Sequence, residues 1–408
     1  VEELRGGGAT VSAAADVRAA EGDWPWWRGP RGDGRSDEPQ PPLEWSTSKN
    51  VVWQAEVPGK GHASPIVVGQ RVLVATADEL AKQQMLLCFD RETGQEAWRT
   101  VVHEGGFMRA HGKNTQASAT PACDGQRVFA AFINSGALHV TAVGVDGQIA
   151  WQKQAGAFQS EHGYGSSPAL YKSLVIVCGD NAGSSFLAAL DRETGDLVWR
   201  VARERPGGHG NYATPVIAQV TGKPQLLLAG HGKLTSYDPA TGDLLWSCKG
   251  PAEVAACTVA CSDELVFASG GYPEKEILAV RANGSGDVTG THVVWRASKG
   301  VTYVPSPVYD QGRLYVINDQ GVASCFDAAD GQVLWEKRLG GNFSASPLLA
   351  GGKLFATNEK GVTHVLEAAA TFKKLGENTL GDSGFATPAV AGGRLFLRSG
   401  GRLYCIGQ

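Results

Sequence analysis

Four loops of this chain set a histidine beside glycine: Ala110-His111-Gly112-Lys113-Asn114, Glu161-His162-Gly163-Tyr164-Gly165, Gly208-His209-Gly210-Asn211-Tyr212 and Gly230-His231-Gly232-Lys233. Glycine allows sharp loops and close approach of backbone or ligand. Imidazoles brought together there could bind a transition metal or move protons near neutral pH. The same residues could equally be solvated loop groups that hydrogen-bond main chain. Asp180 and Glu161 are carboxylates in the same region, and spacing alone gives them no catalytic role. Whether these groups meet depends on the elements that carry them.

Those elements repeat. Asp90-Arg-Glu-Thr-Gly94-Gln-Glu-Ala-Trp98 returns at Asp191 to Trp199, Asp238 to Trp246 and Asp327 to Trp335, each with Trp eight residues after Asp. A second marker, Ser or Thr before Pro and an apolar run, occurs at Ser64, Thr120, Ser167, Thr214, Ser306, Ser346 and Thr387. A degenerate copy, Thr258-Val259-Ala260, fills the one gap. Eight units result. Proline fixes φ and lacks an N–H, which suits the first residue of a strand. In the third unit the spacing predicts strands over 168–170, 174–178, 186–190 and 197–201, with Asp191 to Gly195 as the last turn. Four short strands per repeat of this length describe a propeller blade, and helical periodicity is lacking.

The expectation is therefore an all-β, eight-bladed propeller of four-stranded antiparallel blades. Residues 1–21 are expected to be a flexible leader or processing remnant, and 22–408 a single propeller domain. The last unit runs out after its third strand, near Ile406, while residues 50–57 read as an orphan fourth strand. Joining them closes the ring and removes two open sheet edges. The outer-strand positions are Trp53, Trp98, Trp151, Trp199, Trp246, Trp295, Trp335 and, by register, Leu375. Each indole is expected to pack on the next blade and to give its N–H to a main-chain carbonyl there.

Bulk properties exclude several functions. The net charge of −4 leaves no basic footprint for nucleic acid. No apolar run is long enough for a membrane-spanning helix. Of eight cysteines, Cys88, Cys325 and Cys405 share one strand position and read as small buried hydrophobes. Cys257 and Cys261, near Cys248, lack the partner motif of a zinc site.

The two markers together resemble the pyrroloquinoline quinone (PQQ) repeat, whose tryptophan docking motif staples eight-bladed propellers. The resemblance runs from about Asp23 to Gln408. Asp23-Trp-Pro-Trp-Trp-Arg28-Gly-Pro30, Gly270 to Pro273, Gly340 to Ser344 and Asp382 to Ala386 are also similar to segments of PQQ-like proteins of planctomycete-type bacteria. It implies a periplasmic or secreted location. One branch oxidises alcohols or sugars with PQQ and Ca²⁺; another, including the BamB lipoprotein, is cofactor-free. The chain lacks the vicinal Cys-Cys pair of the alcohol-oxidising branch, its PQQ ligand set and a CxxCH haem motif.

The preferred reading is an extracytoplasmic binding or scaffold module, monomeric and without bound PQQ, taking a protein partner or a small-molecule or carbohydrate ligand. A PQQ- and calcium-dependent dehydrogenase with divergent ligands is the alternative, and a metal-dependent hydrolase or lyase a third reading. Long connections all enter the innermost strands, so the site belongs on that face. Its candidates are His62, Arg109, His111, Asn114, His162 and Tyr164, followed by His209, Asn211, Tyr212, His231, Tyr303 and Asn342.

Overall fold

Turn chemistry and strand pairing build eight antiparallel sheets into a propeller ring. The computed structural model describes residues 3–4, 8–38, 40–204 and 209–407. Blade 1 runs outward from the axis through Ile66–Val68, Arg71–Asp78, Gln83–Asp90 and Glu96–Glu104. Blade 3 consists of Ala169–Tyr171, Leu174–Cys178, Phe186–Asp191 and Leu197–Ala202, within a residue or so of the spacing-based expectation. Blade 8 combines both ends of the chain: Val51–Glu56 pairs antiparallel with Arg402–Ile406.

The Asp-x-x-Thr-Gly phrase is a turn that hydrogen-bonds itself. Asp90 Oδ1 accepts the amides of Glu92 and Thr93 at 3.0 and 2.8 Å, and the Gly94 amide donates to the Asp90 carbonyl at 2.9 Å. Gly94 has φ of 71°, which glycine adopts without steric cost. Its second reason is the neighbour: a Cβ there would lie 2.5 Å from the Trp53 ring of blade 8. Gly195 likewise lies beneath Trp151, and Gly331 beneath Trp295. Each such glycine thus serves its own turn and makes room for the preceding blade's indole.

Five indole N–H groups reach a main-chain carbonyl of the next blade. Trp53 donates to Arg91, Trp98 to Val145, Trp151 to Arg192, Trp295 to Ala328 and Trp335 to Ala369, at 2.8–3.1 Å. Two depart from the expectation. Trp246 donates to Gln225 Oε1 at 2.8 Å in its own blade, and Gln225 Nε2 passes the link to the Ala282 carbonyl of blade 5 at 3.0 Å. That relay is needed because blade 5 has an insertion where the Asp-x-x-Thr-Gly turn would stand. The buried Trp199 Nε1 has no partner among the described residues.

Blade 7 corrects the Leu375 assignment. In the other blades the outer strand carries a β-bulge one residue before Trp, as where Cys88 faces Trp98 and Phe89 faces Glu96. In blade 7 Val365 faces Gly376 and Leu366 faces Lys374, so Leu375 is the bulged residue and Gly376 holds the tryptophan place. Trp45, from the N-terminal segment, fills the gap. Its ring stacks on Phe355 at 6.4 Å, as Trp295 lies on Phe267 and Trp53 on Phe396 at 6.1 Å. Asn378 holds that segment by bonding the Trp45 amide and the Leu43 carbonyl at 2.9 and 2.8 Å. A spacing argument within the repeats cannot see an indole supplied from 330 residues away.

The N-terminal segment then proves to be a strap across the face opposite the long loops. Trp24 pairs with Val67 of blade 1, and the Pro25 carbonyl accepts the Cys123 amide of blade 2. Arg28 Nη2 donates to the Pro307 carbonyl of blade 6 at 2.6 Å. Arg35–Ser36 adds a parallel strand to the inner edge of blade 7, and Glu38 accepts the Gly392 amide of blade 8 at 2.7 Å. Earlier still, Gly8–Ala13 is the only helix among the described residues. Val11 on it is buried with Leu174 and Leu187 of blade 3, and Leu4 pairs with Arg200. Val11 and Leu4 of the expected leader thus meet blade 3.

All eight cysteines are free, and Cys88, Cys325 and Cys405 are fully buried. No helix of the described residues is long and apolar enough to cross a membrane.

Candidate functional site

The Ser/Thr of the Ser/Thr-Pro marker does more than start a strand. The Ser64 amide donates to Thr120 Oγ1, that of Thr120 to Ser167 Oγ, and that of Ser167 to Thr214 Oγ1, each at 2.9 Å. The same chain runs from Thr258 through Ser306 and Ser346 to Thr387, again at 2.9 Å. These six bonds form two arcs of a belt around the axis, with one amide-to-hydroxyl link at six of the eight blade boundaries. The belt is interrupted twice: between Thr387 and Ser64, whose Oγ has no partner among the described residues, and between Thr214 and Thr258, where the Trp27 indole N–H donates to Thr258 Oγ1 at 2.9 Å instead.

Above the belt an axial cavity of about 520 Å³ opens on the long-loop face. Trp27 borders both this cavity and a hollow of about 190 Å³ beneath it, so its ring is the partition between the two. On one wall His62 stacks on Phe385 with centroids 4.6 Å apart and planes 10° off parallel. Burial, helped by the nearby Arg398 guanidinium, pushes the His62 imidazole down to about 4. It is neutral at physiological pH. Arg398 itself is buried on main-chain carbonyls of Ala63 and Ala75 and on Thr76 Oγ1, and burial lowers it to about 9.

Tyr212 and Tyr303 also face the cavity. Burial raises both phenols, Tyr303 to about 12, so they stay protonated. At the rim His111 and His162 meet edge to face at 5.6 Å. Asn114 Nδ2 bonds the His162 carbonyl at 2.8 Å, tying the two long loops together. Lys113 reaches across to Glu359 of blade 7 at 3.1 Å, and Ser344 donates to the same carboxylate at 2.8 Å. Asp319 accepts the amides of Tyr303 and Val304 at 2.8 and 3.0 Å.

Six of the twelve predicted positions thus converge: His62, His111, Asn114, His162, Tyr212 and Tyr303. The rest stand elsewhere. Arg109 is an exposed loop residue whose carbonyl accepts from Ser160. Tyr164 is buried and donates to the Cys178 carbonyl at 3.1 Å. His209 packs edge-on against Tyr272, 3.7 Å from Glu161. Asn342 is exposed and uses its carbonyl to accept the Glu359 amide, leaving its neighbour Phe343 on the cavity.

Asn211 and His231 belong to a buried network between blades 3 and 4. Asn211 Nδ2 lies 2.9 Å from His231 Nδ1, and His231 Nε2 lies 3.3 Å from Asp180. Arg203 forks onto Asp180 at 2.8 and 3.1 Å and also reaches Thr235 and Tyr237. Burial alone would raise the Asp180 carboxyl, but Arg203 and His231 hold it well below the carboxylate range. Such a pair is costly to break and fixes loop geometry rather than offering free groups. Asp180 is accounted for this way.

Sequence reasoning missed Trp27, the hydroxyl belt, Asp319 and Glu359. The last two carried a signal, since Asn318-Asp319-Gln-Gly321 and Asn358-Glu359-Lys-Gly361 place an acid after Asn in successive units. Among the described residues no three His, Cys, Asp or Glu side chains converge as metal ligands.

A family model described as outer membrane protein assembly factor BamB matches residues 43–154, 82–288 and 273–371. The chain belongs to this family of PQQ-like β-propellers. Its fold is similar to BamB from Moraxella catarrhalis (TM-score 0.63, 15% identity, 87% of this chain and 99% of that one). It is also similar to quinohemoprotein alcohol dehydrogenase from Comamonas testosteroni (TM-score 0.68, 13% identity, 98% of this chain and 83% of that one). A europium-containing methanol dehydrogenase follows (TM-score 0.52, 13% identity, 96% and 99%). Identities this low establish the fold alone. No curated protein matched the chain.

Proposed function

We propose that this chain is an extracytoplasmic binding module, working without bound PQQ, whose ligand or partner is taken at the axial cavity on the long-loop face. The family's description as an outer-membrane assembly factor supports that location and a binding role. The observation that carries the reading is the charge of the cavity. PQQ is a tricarboxylate, and a site for it needs unpaired cations. The charged lining residues are Lys113, Asp319 and Glu359, and Lys113 is already paired with Glu359. A calcium ion takes about six to eight oxygen ligands, usually including several carboxylates. Asp319 and Glu359 are the only carboxylates among the lining residues, and no three His, Cys, Asp or Glu side chains of the described residues converge there. The donor set does not fit PQQ with calcium, and the dehydrogenase alternative retains only likeness of fold.

The test is to add PQQ and CaCl₂ to the purified protein. Its absorption spectrum and the reduction of an artificial electron acceptor by alcohols and sugars are then recorded. No stoichiometric quinone uptake and no turnover are expected. Uptake accompanied by turnover sinks the proposal.

A further inference from the structure

The axial cavity has a composition that selects among small ligands. Its floor is an indole, pinned through its N–H to Thr258 Oγ1 at 2.9 Å, and one wall is the stacked His62–Phe385 pair. Aromatic faces carry negative quadrupole potential and attract the weakly positive C–H faces of a saturated ring. Facing them are two phenol hydroxyls, of Tyr212 and Tyr303, that make no internal hydrogen bond among the described residues. A side-chain donor left free at a concave site is available to a ligand.

The acceptors complete the pattern. A carboxylate offers about four lone-pair positions, and neither Asp319 nor Glu359 fills all of them with protein donors. Both can accept hydroxyls at the rim. Anionic ligands meet two carboxylates against a single, already paired lysine. Purely apolar ligands would bury the phenols and the Asp319 and Glu359 carboxylates without partners, leaving desolvated polar groups unsatisfied. A volume of about 520 Å³ lies in the range of small-ligand sites and is generous for one or two sugar rings.

We infer that the axial cavity is a site for a neutral carbohydrate, one sugar ring lying on Trp27 and against the Phe385–His62 wall, with its hydroxyls bonded to Tyr212, Tyr303 and the rim carboxylates. This rests on the binding-module reading above and names the ligand class for that same site. Residues 24–34 cross the opposite face and set Trp27 among the lining residues, so the long-loop side is the way in for a ligand.

The test is isothermal titration of the full chain with cellobiose, maltose, lactose, N,N′-diacetylchitobiose and glucuronate, and separately with PQQ plus CaCl₂. At least one neutral disaccharide is expected to bind, and glucuronate more weakly than its neutral counterparts. Trp27→Leu is expected to weaken binding at least tenfold, and Trp27→Phe far less, because the aromatic face is retained. Should Trp27→Leu fail to fold by circular dichroism, Tyr303→Phe carries the test, with an expected loss of several-fold at unchanged melting temperature. No saccharide heat up to about 10 mM, where even millimolar affinities register, overturns the inference and leaves a macromolecular partner for the module. Saccharide binding unchanged in both Trp27→Leu and Tyr303→Phe also overturns it. Binding of PQQ instead overturns this inference together with the reading it rests on.

Discussion

Trp45 shows how a residue outside a repeat can hold a repeat's position. It stacks on Phe355 where blade 7 has Gly376 in the tryptophan place, so eight indoles serve eight blades although seven follow the register. Truncating a buried Trp typically costs about 3–5 kcal/mol. Trp45→Ala should therefore destabilise the chain by about that much in urea unfolding, comparably to Trp151→Ala. Gly376 has room for a side chain, its nearest neighbour being the Leu43 carbonyl at 3.6 Å from a placed Cβ. Adding Gly376→Trp to the Trp45→Ala background should recover part of the loss, whereas Gly376→Trp alone should overpack and destabilise. A double variant no more stable than Trp45→Ala would refute the shared slot. At this scale the motif glycines and tryptophans were legible because their reasons are local: a self-bonded turn and a bulge of fixed spacing. Asn211 and His231 lie off the cavity, and the sequence cannot tell this because a His-Gly sequence looks the same at a cavity rim and in a buried network with Asp180 and Arg203.

Loops and turns decide which of the candidate side chains meet. The segment between blades 1 and 2 brings His111, Lys113 and Asn114 over the cavity, and Lys113–Glu359 ties it to blade 7. The lysine is well exposed, so the pair contributes less than about 1 kcal/mol to global stability. Its effect should be local. Lys113→Ala or Glu359→Gln should raise amide exchange across residues 105–118 severalfold while leaving the melting temperature nearly unchanged. Unchanged exchange in both variants would mean that the contacts with His162 hold the loop without the ion pair. The inner-strand starts teach the complementary point. Proline at those positions announced a strand, yet the Ser or Thr before it gave no hint of the belt. An amide and a hydroxyl 40 or more residues apart become partners only when consecutive blades lie side by side.

The whole molecule depends on its two ends meeting. Val51–Glu56 completes blade 8, Trp53 bonds Arg91 of blade 1, and the strap before them contacts blades 1, 2, 5, 6, 7 and 8. Removing residues up to 57 would expose the edge of Arg402–Ile406 and delete Trp24, Trp45 and Trp53 from the core they share. Open edges template pairing with other chains. The truncated chain should elute as oligomers or aggregate in size-exclusion chromatography, whereas the intact chain should elute as one species. A monomeric, cooperatively unfolding truncation would show that the closure strand is dispensable.

The sequence by itself determined the number of blades, their four-stranded form and the face at which the long loops gather, because these follow from turn chemistry and strand periodicity repeated in order along the chain. Tertiary structure alone decided which histidines face the axis and that Trp27 floors the cavity. It also decided that Trp45 stands in for the indole missing from blade 7, and that the cavity lining sets two carboxylates against one paired lysine. The physical reason is distance along the chain. The cavity is assembled from side chains of nearly every blade plus a strap that comes before the first, and no local pattern records which distant residues a closed ring brings to its axis.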